Sequence, residues 1–138
     1  SVVANDSIHS LIIRTVGAVN VAESISPNQT ETITLQQLME WDPEVILIPS
    51  QAEYTVATIL KDPAWGSLQA VKNQKVFQFP SALEPWDFPT PAVCLGVNWA
   101  VHVLYPKALV EMDMMRHIHE YYTMVYGQTF TDEQLGLP

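Results

Sequence analysis

The sequence predicts an α/β fold of three layers, an α/β/α lobe in which helices cover a mostly parallel central sheet. Short apolar runs alternate with segments whose apolar residues recur at helical spacing. Strands that alternate with helices in this way form parallel sheets with right-handed crossovers. With 138 residues and 48% hydrophobic content, the chain can bury one core. We therefore expect residues 1–138 to form a single domain.

The first predicted elements are a short strand and a helix. Residues 2–4 are apolar and precede Asn5-Asp6-Ser7, which can end the strand and cap a helix. Gly17 is a typical C-terminal stop for that helix. Residues 23–32 are polar and contain Pro27, which predicts a surface loop.

A capped helix, a proline break and a buried strand follow within residues 33–48. Thr34 is the predicted N-cap, and Gln37 is placed to complete a capping box. Pro43 disfavours helical geometry at Asp42, so the helix is expected to end there. Residues 45–48 are then apolar without interruption, which is typical of a parallel strand covered on both faces.

Prolines, glycines and capping residues delimit the remaining elements. Thr90 followed by Pro91 predicts the start of a helix. Asp113 is the predicted N-cap of the last long helix, whose apolar stripe includes Val125, and Gly127 is its predicted end. The full set comprises helices at 52–60, 91–105 and 114–126, a helical turn at 67–71, a strand at 76–79 and a C-terminal turn from 131.

The 80–89 loop is the stronger candidate binding segment, since ligands of parallel sheets gather beyond the carboxyl ends of the strands. Its prolines reduce the ordering cost that a ligand would otherwise incur. Trp86 can stack on a planar ligand. Glu84 or Asp87 can accept hydrogen bonds or approach a metal centre, and Ser81 adds a polar group.

Packing is the alternative role for the aromatic residues of this loop. It is about as well supported as ligand contact for Trp86, and it is the favoured interpretation for Phe88. A second loop, at 49–54, leaves the same expected edge of the sheet. There, Gln51, Glu53 and Tyr54 are polar groups, and Gln51 and Tyr54 are further candidate ligand contacts. Covering a hydrophobic rim is the more common role for a tyrosine such as Tyr54.

Neither a catalytic residue nor a metal ligand is predicted. The single cysteine, Cys94, cannot form an internal disulfide or a cysteine-rich metal site. His117 and His119 are two residues apart, which on a helix points them in different directions. The sequence has no Gly-rich phosphate loop, nucleophile elbow or zinc-protease helix. Six basic against fifteen acidic residues, a formal net charge of −9, argue against a nucleic-acid partner.

Five collinear segments resemble one protein family, the substrate-binding proteins of iron-siderophore, haem and cobalamin ABC importers. These are class III periplasmic binding proteins with a TroA-like fold. The segment 17–22 reads Gly-Ala-Val-Asn-Val-Ala, and 33–48 matches the family's helix, acidic-Pro-acidic turn and apolar strand. The other matching segments are 62–77, with its Asp-Pro-Ala-Trp start, 85–106 and 121–127.

The resemblance implies a non-catalytic binding module, the C-terminal lobe of a two-lobed receptor whose N-terminal lobe is absent from this chain. The expected function is to bind an iron complex such as a ferric siderophore and deliver it to a membrane permease and its ATPase. The expected location is periplasmic, or extracellular as a membrane-anchored lipoprotein, with the export signal outside this chain. No resident cofactor is implied.

Other interpretations remain open at this point. The cargo can instead be haem or cobalamin, or the chain can be a nitrogenase-like metallocluster domain, which would need more cysteine ligands than Cys94. A structural interaction domain without a small-molecule ligand is a third possibility. An isolated lobe would also expose the apolar rim that faces its partner lobe, and we expect that it can self-associate through this rim.

Docking on the permease is expected to involve acidic side chains of this lobe. The family position in the helix at 34–41 corresponds to Gln36, which is neutral, so Glu31, Glu23 and Glu40 are the substitute candidates. A second departure is Gln74, where the family often has glycine. Asn73 or Gln74 must therefore form a tight turn there.

Overall fold

The computed structural model describes residues 7–23 and 32–137. The chain divides into two compact units, Ser1–Gln78 and Phe79–Pro138, and each is described by itself. That residues 1–138 act as one domain stays a prediction. The strand expected at 2–4 lies outside the described residues, as do residues 24–31 of the expected loop.

The first unit contains four helices, a 3₁₀ turn and two strands among its described residues. They are α1 (Ile8–Thr15), α2 (Leu35–Trp41), β1 (Ile46–Ile48), α3 (Val56–Lys61), the 3₁₀ turn (Pro63–Trp65), α4 (Gln69–Lys72) and β2 (Val76–Gln78). The predicted α/β class is confirmed. No helix in the described part of the chain is long and apolar enough to cross a membrane.

Capping residues fix the ends of the first two helices as predicted, except that the capping box expected of Thr34 and Gln37 is only half formed, because the Gln37 side chain does not bond back to the Thr34 N–H. The Ser7 hydroxyl accepts a hydrogen bond from the Ser10 backbone N–H, and α1 is followed by Gly17 at φ 77°. Thr34 Oγ1 accepts from the Gln37 N–H at 3.1 Å at the start of α2. Asp42 ends α2 in the left-handed region at φ 38°, directly before Pro43.

The sheet of the first unit pairs β1 with β2 in parallel. Ile46 lies opposite Val76, and Ile48 lies opposite Gln78. Ile48, Val76 and Ile59 of α3 form a buried cluster of this unit. The predicted parallel strand is therefore confirmed at β1, where Ile48 is buried and Ile46 and Leu47 are partly buried.

A tight turn connects α4 to β2 at the position where the related family often has glycine. Gln74 adopts φ 56°, a left-handed conformation that glycine tolerates best. The Gln74 N–H donates to Val71 O at 3.1 Å and the Lys75 N–H to Ala70 O at 2.7 Å. The predicted role of Gln74 in this turn is confirmed.

The second unit is built around α5 (Val93–Leu104) and α6 (Glu111–Tyr126). Residues from both helices, the 80–89 loop and the C-terminal turn share one core. Its buried members are Trp86, Ala92, Leu95, Met114, Ile118, Tyr121, Tyr122 and Leu135. The predicted end of α6 is confirmed, because Gly127 follows it at φ 68°.

Three predictions for these helices are wrong. The N-cap of α6 is Val110, so Asp113 lies inside the first turn, where its carboxylate pairs with Arg116 at 3.0 Å. The N-cap of α5 is Ala92, and Thr90 belongs to the preceding turn, in which its carbonyl accepts from the Val93 N–H. Val125 is 47% exposed and does not belong to the buried stripe of α6.

Candidate functional site

The carboxyl ends of β1 and β2 lie at the same edge of the sheet in the first unit. Gln78 Nε2, at the end of β2, donates to Pro49 O, just after β1, at 3.4 Å. Beyond β1, Gln51 is exposed and remains available to a ligand. Tyr54 is half-buried and packs against the Ile48–Ile59–Val76 core. Packing is thus a role that Tyr54 has in the structure, and its ligand contact stays a prediction.

Trp86 is a core residue of the second unit. Its side chain is 2% exposed and lies among the buried residues shared by α5 and α6. The indole Nε1–H donates to the Tyr122 hydroxyl at 2.9 Å in the interior. Of the two roles left open by the sequence, the structure shows packing, and stacking on a ligand stays a prediction.

The other residues of the 80–89 loop divide by exposure. Asp87 is 0% exposed, so a ligand cannot reach its carboxylate in this conformation. Ser81 is exposed, and Glu84 is half-buried. Phe88 is 42% exposed, and the expectation that it packs is wrong. Ser81 and Glu84 are therefore the predicted contacts that the structure leaves within reach.

Glu84 is held by two tyrosines of α6 that the sequence did not indicate. The Tyr126 hydroxyl donates to Glu84 Oε1 at 3.3 Å and the Tyr121 hydroxyl to the same oxygen at 3.5 Å. The residues are 37 and 42 positions apart, so no local pattern reveals the contact. Burial, and to a lesser degree the Glu84 charge, raises the pKa of Tyr121 to about 12. Both hydroxyls thus remain donors near neutral pH.

Burial first, and then the Glu84 charge, also raises the pKa of Tyr126. Burial likewise raises the pKa of Tyr122, although the hydrogen bond from Trp86 acts in the opposite direction. The aromatic rings of α6 hold these groups in place: Tyr122 stacks on Tyr126 with centroids 5.8 Å apart, and Phe130 meets both edge-on.

The backbone of the 80–89 loop is fixed from the side of α5. A Cβ at Gly96 would lie 2.1 Å from the Trp86 carbonyl oxygen, so only glycine permits this approach. The loop also closes on itself, because the Trp86 N–H donates to Pro80 O at 3.2 Å. A segment fixed in this way is pre-ordered before any ligand arrives.

The predicted docking residues lie in the first unit. Gln36 is exposed on α2 and donates from Nε2 to Glu40 Oε1 at 3.3 Å. Glu23 is exposed, and Glu31 lies outside the described residues. Gln36 therefore has an acidic neighbour one helical turn away on the same surface.

Two of the four histidines, His102 and His119, make hydrogen-bond contacts within the fold. His102 Nδ1 contacts Leu109 O at 2.8 Å, and His119 Nε2 contacts Asp132 Oδ1 at 2.6 Å. Within residues 7–23 and 32–137, no group of three or more His, Cys, Asp or Glu side chains is arranged to hold a metal ion.

Comparison with known proteins identifies the family. The periplasmic binding protein family matches residues 1–83, more than half of the chain. The chain belongs to the periplasmic binding protein family. This membership confirms the resemblance seen in the sequence, implies a periplasmic location and agrees with a non-enzymatic role.

Individual periplasmic binding proteins match most of this chain. The molybdate-binding protein MolA of Haemophilus influenzae is 32% identical over 121 residues, 87% of this chain and 34% of that protein. The structure of MolA bound to molybdate matches with a TM-score of 0.77 and 29% identity, and covers 93% of this chain and 39% of MolA.

Two further solved structures share the fold. An ABC transporter solute binding protein from Sulfurospirillum deleyianum matches with a TM-score of 0.80 and 25% identity, over 96% of this chain and 41% of its own. A periplasmic solute binding protein from Veillonella parvula matches with a TM-score of 0.85 and 21% identity. The match covers 96% of this chain and 41% of the Veillonella parvula protein. The chain thus spans between about a third and two-fifths of these relatives' length.

Proposed function

We propose that this chain is part of the solute-binding component of an ABC importer, and that the whole protein delivers its cargo to a membrane permease and its ATPase. Membership of the periplasmic binding protein family is the observation that carries this proposal. The similarity to an ABC transporter solute binding protein from Sulfurospirillum deleyianum supports it.

The first candidate cargo is an iron complex such as a ferric siderophore. The two loops, 49–54 and 80–89, contain no Lys or Arg but include the carboxylates Glu53 and Glu84. Acidic and neutral groups disfavour a bare anion and suit a ligand that presents a metal centre or hydrogen-bond donors to this part of the protein. Haem and cobalamin remain alternatives within the same chemical class.

The second candidate cargo is molybdate, because MolA is 32% identical to this chain over 121 residues. A fully ionised oxyanion only accepts hydrogen bonds, so it needs donors. The exposed Ser81 hydroxyl, the exposed Gln51 side-chain amide and the Tyr54 hydroxyl are neutral donors on these loops. Any cationic donors would have to come from the rest of the protein.

The proposal also includes docking on the permease and anchoring at the membrane. Glu40 on α2 and Glu23 after α1 are exposed, and their negative charge can meet arginines of a permease. Glu31 remains a candidate for the same role. We further propose that the whole protein is held at the membrane as a lipoprotein.

Isothermal titration of the full-length protein tests the proposed cargo. The panel contains sodium molybdate, sodium sulfate, ferrichrome, haem and cobalamin. Ser81→Ala should weaken molybdate binding, whereas Glu84→Gln should weaken binding of a ferric chelate, each by roughly tenfold for the loss of one polar contact. Tyr105→Phe, an exposed position outside both loops, is the control. Absence of heat with every compound would contradict the receptor function.

A further inference from the structure

The 80–89 loop is attached to the helices of the second unit at two points of different character. The first is Trp86, which is buried and forms part of the core. The second is Glu84, which is half-buried and lies where the loop meets solvent. The attachment at Trp86 is needed for the fold. The attachment at Glu84 is therefore the one that can affect ligand binding without affecting the fold.

The attachment at Glu84 is asymmetric. Both tyrosine hydroxyls donate to Oε1, at 3.3 Å from Tyr126 and 3.5 Å from Tyr121. Among the described residues, none donates to Oε2. The two phenols therefore fix the carboxylate by one oxygen and leave the other free to accept a bond from, or approach the metal of, a ligand.

The tyrosines are themselves rigid, although Tyr126 is 49% exposed. Tyr122 stacks against the Tyr126 ring at 5.8 Å, and Phe130 packs edge-on at 5.8 Å. Tyr121 is 6% exposed, and its ring meets that of Tyr122 at 5.0 Å and 85°. Because the rings are packed, the hydroxyl positions are set by α6 rather than by solvent.

We infer that Tyr121 and Tyr126 are positioning residues, which hold the Glu84 carboxylate and with it the exposed part of the 80–89 loop in the conformation that receives the cargo. This inference rests on the proposed function. It assigns to the end of α6 a role in affinity without any contact between α6 and the cargo.

The test compares full-length wild-type protein with the double variant Tyr121→Phe/Tyr126→Phe, which keeps both rings and removes both hydroxyls. Hydrogen–deuterium exchange of the amides at 81–84 is measured together with the dissociation constant for ferrichrome or sodium molybdate, whichever the wild type binds. We expect exchange roughly fivefold faster at these amides and affinity roughly fivefold weaker, the effect of one or two lost hydrogen bonds. Amides of α5 should exchange as in the wild type, which a general loss of packing would not allow.

Tyr105→Phe serves as the matched control, since it removes an exposed hydroxyl of the same unit outside this contact. Unchanged exchange at 81–84 in the double variant would overturn the inference. So would faster exchange with unchanged affinity, which would show that the loop is held but that its position does not matter for binding. If the wild type binds no compound of the panel, the proposed function fails instead, whatever the exchange rates show.

Discussion

At the scale of single residues, burial separates the side chains that hold the 80–89 loop from those that a ligand can reach. Trp86 and Asp87 are 2% and 0% exposed, whereas Ser81 is exposed and Glu84 half-buried. The loop lacks the periodicity by which a helix or strand reveals its inner face. That this loop binds a ligand stays a prediction, and its sequence could not tell that Trp86 faces inward and Phe88 outward.

Trp86→Ala should destabilise the protein by roughly 3–5 kcal/mol, because it empties a large volume of the core of the second unit. Phe88→Ala, at the exposed neighbour two positions away, should change stability by less than about 1 kcal/mol. Urea unfolding monitored by circular dichroism measures both. Equal and small effects of the two substitutions would show that Trp86 is not a core residue.

Tyr121 predicts a stability change at alkaline pH. Its pKa rises from 10.0 to about 12 on folding, mainly through burial, so the folded state holds the proton more tightly than the unfolded state. The stabilisation from the protonated hydroxyl is fully present below pH 10 and is lost as the pH rises toward 12. Over this pH range, the urea concentration at the midpoint of unfolding should fall more steeply for the wild type than for Tyr121→Phe. Parallel pH profiles would contradict the buried, raised-pKa environment of Tyr121.

At the scale of elements, helix ends were predicted correctly where the capping or helix-breaking residue lies within a few positions of the backbone group on which it acts. Thr34, three residues from its capped N–H, and Pro43, directly after Asp42, specify the helix and break before β1. Asp113 failed as an N-cap because α6 begins earlier, at Glu111, with Val110 in the N-cap position and no side-chain cap. The contacts of Glu84 with Tyr121 and Tyr126 span 37 and 42 positions, and only the packing of α6 against the loop creates them.

In the turn between α4 and β2, substitution by glycine should change the free energy of unfolding in opposite directions at two adjacent residues, Gln74 and Asn73. Gln74→Gly should raise the free energy of unfolding by roughly 0.5–1 kcal/mol, because glycine adopts the φ of 56° without the steric cost. Asn73→Gly should lower it, since Asn73 has φ −91° and glycine there adds only unfolded-state entropy. Urea midpoints of the two variants decide the matter. Destabilisation by both would argue against strain at Gln74.

At the scale of the whole molecule, this chain belongs to the periplasmic binding protein family and spans 34% of the length of MolA. The fold of this chain was readable from the sequence because family segments recur in order along it. The cargo was not, because the candidate ligand contacts lie on irregular loops, which carry no periodic signal in the sequence. Self-association of an isolated lobe through an exposed apolar rim also stays a prediction.

Stimulation of the cognate permease–ATPase complex in proteoliposomes tests the central claim most directly. The full-length protein is loaded with the compound that binds in the titration, and phosphate release is compared with that of the unloaded protein. An importer receptor should raise the ATPase rate several-fold when loaded, and the double variant Glu23→Gln/Glu40→Gln should reduce this stimulation without loss of cargo binding. A protein that binds its cargo but leaves the ATPase rate unchanged would contradict the proposed role in ABC import.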